Sequence, residues 1–533
     1  MFPFNTPYNH LLYWAVFLAT ISWFYSYFNE QHRLSTMSIE QAMLKAWDRV
    51  IDQPSIRFRK IMVGINCNVD VVLSGVSLIT NLDLNPPPPN IGDKEVLNTV
   101  EDLYETFTHF FSKGAPAERF LSNNELFEML IKATEEKNLR AQAFLVGPIG
   151  PRSQALLHPS IVRNNSTRIV QDELHLILEY KQGEILGEYV APASSRFITS
   201  HDHYSGSSIV IEMFFKAIGQ FRPDLIIFSG VHLLEAQTKQ VRVEKMRLIK
   251  RSLAQVDPLI PIHLELGSMG DSSHVEDVLT KIIPYVDSLG INDQELAFLS
   301  KVGDGPYVTE YPVGAGALHA YKIRTYAWFN ITRGLGKLTT NFPAKYRLRA
   351  LPSGTEFKMM TLDAPSHPDR QIVVKVKKVV EMLQWLMTTY GHNKTDPESK
   401  SYHYRLQRIH FHSFTYHIMV SRGTDWSNLA AGLAAGARLA GRQACNIPSG
   451  RTDDFDRLEI RTSDKFLLDK QVGKVYQFNS HNPLASWMRN DVVFIYTPVL
   501  VCKYPQHTVG IDDAVSATAL LYSQFYKLER MHW

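Results

Sequence analysis

The residues best placed to do chemistry lie near the C-terminus. His507-Thr508-Val509-Gly510-Ile511-Asp512-Asp513 reads as a turn between an apolar run, Val499–Val501, and a helix of small residues, Ala514–Tyr522. A turn whose free backbone amides open a helix makes an anion site, because unpaired N–H groups and the helix dipole face the ligand together. A carboxylate at that mouth, Asp513, can accept the proton of a hydroxyl that attacks a phosphoryl group. The plainer alternative is that Asp512 or Asp513 caps the helix, a position that aspartate favours.

Three further segments bring polar groups to strand ends. Gly64-Ile65-Asn66-Cys67-Asn68-Val69-Asp70 follows the first expected strand, Arg59–Ile65. Asn66 and Asp70 can there grip sugar hydroxyls as donor and acceptor, or simply stabilise a turn. Ile262–Leu266 puts Glu265 near the carboxyl end of a strand, the edge at which open α/β sheets bind ligands. Asn292-Asp293-Gln294-Glu295 starts an element after Gly290. Glu295 is either a capping-box residue or a ligand to magnesium through water.

The elements that position these groups alternate. Apolar runs at His175–Tyr180, Leu225–Ser229, Ile262–Leu266, Val492–Tyr496 and Ala143–Val146 read as strands. Helical stretches at Glu125–Thr134, Ile209–Gly219, Lys239–Ala254 and Val275–Val286 lie between them. That rhythm implies βα units and a largely parallel sheet. Four prolines in Asn85–Asn90 mark a loop. Residues 306–370 break the rhythm and read as an insertion, where no chemistry is placed.

Upstream, Leu11 to Phe28 is an uncharged, aromatic-rich run of eighteen residues, which suits a signal peptide or a membrane anchor. Residues 29–56 are a polar linker and a first helix around Ile39–Ile51. Sequons at Asn164, Asn165, Asn330 and Asn393 are compatible with lumenal exposure. The endoplasmic reticulum, in its membrane or lumen, or secretion is the expected location.

Formal charge is +3 from 56 basic and 53 acidic residues, too small for a nucleic-acid binder. Small metabolites are the better partners. Cys67, Cys445 and Cys502 show no metal-ligand spacing, and a Cys445–Cys502 disulfide requires an oxidising compartment.

The segments GINCNVDVVLSG (64–75), GAPAERF (114–120), HLELGSM (263–269), GINDQEL (290–296), RIHFHSFTYHI (408–418) and VLVCKYPQHTVGIDDAVSA (499–517) occur in the order found in the eukaryotic ADP-dependent glucokinases. The chain resembles that family over about residues 57–525. The resemblance implies a ribokinase-like α/β fold, a three-layer sandwich with a mostly parallel central sheet and a smaller lid. It implies transfer of the β-phosphate of ADP to the 6-hydroxyl of glucose, with Mg2+, in a monomer. Carried over by position, Asp513 resembles the catalytic base, and Gly510, Ile511 and Asp512 the anion hole. Glu265, Glu295 and Asp513 resemble metal-facing residues; Asn66, Asp70 and Glu118 resemble sugar-facing ones. The histidines His410, His412 and His417 read as structural members of a half-buried strand.

Two departures stand out. The family turn is Gly-x-Gly-Asp, and Asp512 replaces its second glycine. A carboxylate ~5 Å from an incoming phosphate would cost ~3 kcal/mol at an effective dielectric of ~20, about two orders of magnitude in rate or affinity. A family Gly-Gly-Asn-Ala-Ala stretch before the Gly-Pro-x-Gly-Pro turn also has no counterpart ahead of Gly147–Pro151. These departures leave two alternatives: a non-catalytic nucleotide- or sugar-binding member, or a kinase with another donor or acceptor.

Overall fold

The computed structural model describes residues 18–22, 37–52, 58, 60–65, 69–81, 91–94, 96–115, 117–123, 174–192, 194–201, 207–235, 237–267, 269–307, 368–393, 398–447, 455–505 and 510–526. The expected elements at 85–90, 125–134 and 143–151, three of the four sequons, Asn66, most of 11–28 and almost all of 306–370 lie outside them. Among the described residues no helix is long and apolar enough to cross a membrane.

Helix α1 (Ile39–Val50) begins with a capping box between Ser38 and Gln41, and its Met43, Leu44 and Trp47 are buried. Strand β1 (Ile61–Gly64) enters the main sheet. The chain then builds a separate five-stranded sheet from β2 (Val69–Ser74), β3 (Val96–Leu97), β4 (Ala117–Leu121), β5 (Leu174–Tyr180) and β6 (Ser195–His201), in the order β2-β5-β6-β4-β3. Helices α2 (Gly75–Asn81) and α3 (Val100–Lys113) cover one face. There Leu103, Phe107 and Phe111 pack with Leu176, Leu178 and Phe197 into a core of their own. This is the smaller lid expected from the resemblance.

The chain returns through α4 (Ser208–Phe221), β7 (Leu225–Phe228), α5 (Lys239–Gln255), β8 (Ile262–Glu265), α6 (Ser272–Lys281), β9 (Ser288–Asn292) and α7 (Asp293–Val302). It continues with α8 (Pro368–Tyr390), β10 (Arg408–His412), β11 (Tyr416–Arg422), α9 (Leu429–Ala444), β12 (Ala485–Arg489), β13 (Val492–Pro498), β14 (Leu500–Cys502) and α10 (Ile511–Tyr522). The main sheet has eight strands in the order β1-β7-β8-β9-β10-β11-β13-β12. Strands β1 and β7 to β10 run parallel, as the alternating pattern predicts. The remaining three are antiparallel, because short hairpins join β10 to β11 and β12 to β13.

Helices on both faces make three layers. On one, α4 to α8 bury Ile262, Leu264, Leu289, Ile291, Ile409 and Phe411. On the other lie α9 and α10, which approach unusually closely. A Cβ on Gly432 of α9 would fall 2.5 Å from the Ala519 carbonyl oxygen of α10, so only glycine permits this contact. A disulfide between Cys445 and Cys502, with Cα atoms 5.4 Å apart, ties the end of α9 to β14. The sheet expected at Val499–Val501 and the helix expected from Ala514 are present, but the helix begins at Ile511. Asp512 and Asp513 therefore sit in its first turn rather than in a preceding loop.

Candidate active site

Strand alternation decides which side chains reach the site. Across β8, β9 and β10 the register aligns His263 with Ser288 and Arg408, then Glu265 with Gly290 and His410, then Asn292 with His412. Registered partners share a sheet face, so these residues form one polar patch beneath α10, opposite the apolar core.

Glu265 is the centre of that patch. Its Oε2 accepts a hydrogen bond from Ser516 Oγ at 2.6 Å and lies 3.0 Å from His263 Nε2. Its Oε1 lies 3.4 Å from His412 Nε2. Gly290 makes the room, since a Cβ there would stand 2.0 Å from Oε2. Burial opposes ionisation of Glu265, but the His263 hydrogen bond and the His412 contacts outweigh it and bring its pKa down to about 2.

The mouth of α10 lies just above. Gly510 occupies the N-cap with φ of 66°, a conformation that favours glycine, and its carbonyl accepts the Ala514 amide at 3.1 Å. Neither aspartate is the N-cap, which removes the simple capping alternative. Asp513 is exposed at this mouth. Ser516, one turn along the same helix, grips Glu265, which places Asp513 one helical turn from that contact. Asp512, whose side chain is 47% exposed, has Oδ1 3.6 Å from His412 Nδ1. At these distances His412 makes ion-pair contacts with two carboxylates rather than short hydrogen bonds. Burial alone would depress the His412 pKa, yet Asp512 and Glu265 raise it well above the usual imidazole value. Partial burial opposes ionisation of Asp512, and His412 lowers its pKa overall. The carboxylate that replaces glycine in the turn thus has its own counter-charge.

Asn292 caps α7: its Oδ1 accepts from the amides of Gln294 and Glu295 at 3.0 Å each, and Glu295 Oε2 accepts from the Asn292 amide at 3.0 Å. The capping-box reading of Glu295 is realised. The residue is only 7% exposed, and burial pushes its pKa well above the carboxylate range. A cation beside it would reverse that penalty. Among the described residues no three metal-ligating side chains converge closely enough to enclose an ion. Two carboxylates, one at the end of β8 and one in the first turn of α7, nevertheless suit magnesium, which keeps several waters and takes few protein oxygens.

The lid sheet offers a second polar face. Its register aligns Asp70 with His175 and Ser200, and Glu118 with Ile198, two residues along the same face. Ser200 donates a short hydrogen bond to Glu118 Oε1. Burial opposes ionisation of Glu118, but His175, His232 and Ser200 lower its pKa overall. His232 belongs to the turn after β7, and Arg196 of the lid acts on Asp512. The open face of the lid therefore looks onto the strand tips of the main sheet.

Sequence reasoning passes over Ser516, Ser288 and His175 and gives His412 no functional part. The signal for them is the alternation His-x-Glu in β8 beside Arg-x-His-x-His in β10, which sets charged groups on one face of fully buried strands. Among the described residues His412 stands apart from the other buried histidines in having two acidic neighbours within ion-pair distance.

The ADP-specific Phosphofructokinase/Glucokinase conserved region matches residues 59–142, 136–319 and 356–522. A probable ADP-dependent glucokinase of Caenorhabditis elegans is 52% identical over 550 residues, covering 99% of this chain and 98% of that protein. An ADP-dependent glucokinase of Bos taurus is 32% identical over 511 residues, covering 92% and 89%. Among solved structures, an ADP-dependent kinase complex with fructose-6-phosphate and ADPbetaS superposes with a TM-score of 0.53 at 16% identity, covering 91% of this chain and 97% of that one. A hypothetical ADP-dependent phosphofructokinase from Pyrococcus horikoshii OT3 gives 0.52 at 17% identity, covering 88% and 98%. At such identities these structures speak for the ribokinase-like fold alone.

Proposed function

The chain belongs to the ADP-specific phosphofructokinase/glucokinase family, and we propose from that premise that it transfers the β-phosphoryl group of ADP to the 6-hydroxyl of D-glucose, giving glucose 6-phosphate and AMP. The observation that carries this reading is the position of Asp513: in the first turn of a helix that opens at the strand tips, one turn from the Ser516–Glu265 contact. Two relatives that cover most of the chain, at 52% and 32% identity, are named as a probable ADP-dependent glucokinase and an ADP-dependent glucokinase, which supports glucose as the acceptor.

In this reading Asp513 takes the proton from the attacking hydroxyl, so that the alkoxide forms only as the phosphoryl group arrives. The amides of Gly510 to Asp513 and the dipole of α10 hold the transferred group where negative charge gathers. Glu118 and His175, with Asn66 and Asp70 by their chain positions, orient the sugar from the lid side. Glu265, Glu295 and Asp513 would hold magnesium, which when bound neutralises the phosphate oxygens. His412 keeps Asp512 from acting as a bare charge beside the donor. That pairing supports an active enzyme over the non-catalytic alternative.

We also place the protein in the secretory pathway, delivered by residues 11–28. The Cys445–Cys502 bond supports an oxidising compartment, where disulfides persist.

The test is AMP formation from ADP and glucose with magnesium, followed in the wild type and in Asp513→Asn. The expected result is magnesium-dependent AMP release in the wild type and a loss of about 10²- to 10⁴-fold in kcat in the variant. Wild-type protein that releases no AMP, or a variant that keeps its turnover, would sink the reading.

A further inference from the structure

Behind Glu265 runs a chain of hydrogen bonds whose direction can be worked out from chemistry alone. Arg408 is fully buried, and its Nη1 donates to Ser288 Oγ at 2.8 Å. Ser288 Oγ lies 2.9 Å from His263 Nδ1, and His263 Nε2 lies 3.0 Å from Glu265 Oε2. All three strands contribute one residue, because the register sets His263, Ser288 and Arg408 side by side.

A guanidinium only donates, so Ser288 Oγ accepts from Arg408. The serine proton is then free to go to His263 Nδ1, which must accept it. That leaves the ring proton on Nε2, where it donates to Glu265. In the opposite tautomer the Nε2 lone pair could face Ser516 Oγ at 3.3 Å, but that hydroxyl already donates to Glu265 at 2.6 Å. The lone pair would also stand 3.0 Å from a carboxylate oxygen, and Nδ1–H would no longer accept the Ser288 proton. A doubly protonated ring would bring a second cation beside the Arg408 guanidinium in a row where both residues are almost wholly buried.

We propose that Arg408 and Ser288 are positioning residues of the active site: they fix the Nε2–H tautomer of His263, which with Ser516 clamps Oε2 of Glu265 and leaves Oε1, 3.4 Å from His412 Nε2, as the oxygen directed to the site. The clamp stands on the geometry of the patch. The further step, that the directed oxygen serves the cation of the reaction, rests on the kinase reading above. Neither Arg408 nor Ser288 touches a substrate; both act through His263.

The experiment uses the full chain with 15N-labelled histidine, and His263 is assigned by the loss of its signals in His263→Gln. Ring nitrogen shifts report the tautomer without any turnover. The wild type is expected to show Nε2–H, and Ser288→Ala a mixture of tautomers. Mn2+, bound to the protein alone and followed by electron paramagnetic resonance, is expected to bind about 10-fold more weakly in Ser288→Ala, as for other residues that support a metal ligand. Ser288→Thr keeps the hydroxyl and restores both readouts, and the KM for glucose stays put throughout. Ser288→Ala is chosen over a change at Arg408 because it removes one small group from the core. Nδ1–H in the wild type overturns the relay, and so does Mn2+ binding that Ser288→Ala leaves unchanged. Nε2–H in a wild type that forms no AMP overturns the kinase reading and leaves the relay standing.

Discussion

The main sheet and the lid sheet use the same device, polar residues at alternate positions brought into register across strands, to different ends. In the main sheet the patch is sealed under α10, and its members touch one another: His263, Ser288, Arg408, Glu265, Ser516 and His412 form one connected set. In the lid, Glu118, His175 and Ser200 lie on a face whose opposite side carries the apolar core. A sealed patch holds charge at fixed places, which suits phosphates and a cation. The lid face presents Glu118, which is partly buried and bonded to Ser200. The difference teaches that connection, rather than burial, sets the two faces apart, since His175 and Ser200 of the lid are as buried as Glu265.

If so, the sealed patch should be the more sensitive to acid. His410 is held neutral by burial and by His417 and His412, far below the usual imidazole value of 6.5. Burial brings His417 down to about 3. Groups with lowered histidine pKa values charge more readily once unfolded, so stability is lost as pH falls below about 6.5. The loss approaches ~1.4 kcal/mol per pH unit for each of the two. His412, raised, has the opposite sign: its contribution is complete below 6.5 and fades above it, toward its own folded value. Urea midpoints at about pH 7, 6 and 5 should fall steeply at the acid end, and His417→Asn should flatten the slope. A flat profile would show that the buried imidazoles are not what sets acid stability.

A second contrast concerns turnover. Glu265→Gln keeps the shape of the patch and removes its central charge, and a loss of about 100-fold in kcat is expected with glucose KM nearly constant. Glu118→Gln should do the reverse, raising glucose KM about 10-fold and leaving the KM for ADP alone, since a hydrogen bond to a charged group contributes ~1.5–3 kcal/mol. Steady-state kinetics with each substrate varied in turn decides it. If both variants fail in the same parameter, the division between the two faces is wrong.

Much of this was legible in the chain before any coordinates. The βα rhythm gave the parallel strands, and Glu265 at the end of an apolar run marked the ligand edge. The helix at the C-terminus was visible from AVSATALLY, though its start was not, because Ile511, Asp512 and Asp513 look like loop residues until Gly510 is seen to cap them. The sequence carries no clear signal for the strand Ala485–Arg489 or the small-residue helix Leu429–Ala444, and it runs the start of Tyr416–Arg422 together with the strand before it. Alanine and glycine spaced through a helix carry little amphipathic signal; their reason is the close approach to α10. The histidines read as one half-buried strand but lie on two almost wholly buried ones, and their partnership depends on register, which is not written in any single segment.

The smallest effect expected is also the one most particular to this chain. Asp512 stands where the family turn has glycine, and His412 answers it. If the imidazolium exists to neutralise that carboxylate, His412→Gln should leave Asp512 uncompensated near the donor and raise the KM for ADP several-fold. Asp512→Gly should change it little, since the charge and its counter-charge leave the balance together only in part. The double variant should then be less impaired than His412→Gln, with a coupling of about 1 kcal/mol between the two positions, within the range for residues in contact. His412 also touches Glu265 at 3.4 Å, and that part of its effect persists in both backgrounds, so the cycle isolates the Asp512 share. A double variant as impaired as His412→Gln alone would mean that the histidine serves Glu265 only. Asp512 would then be a tolerated charge with no answering partner.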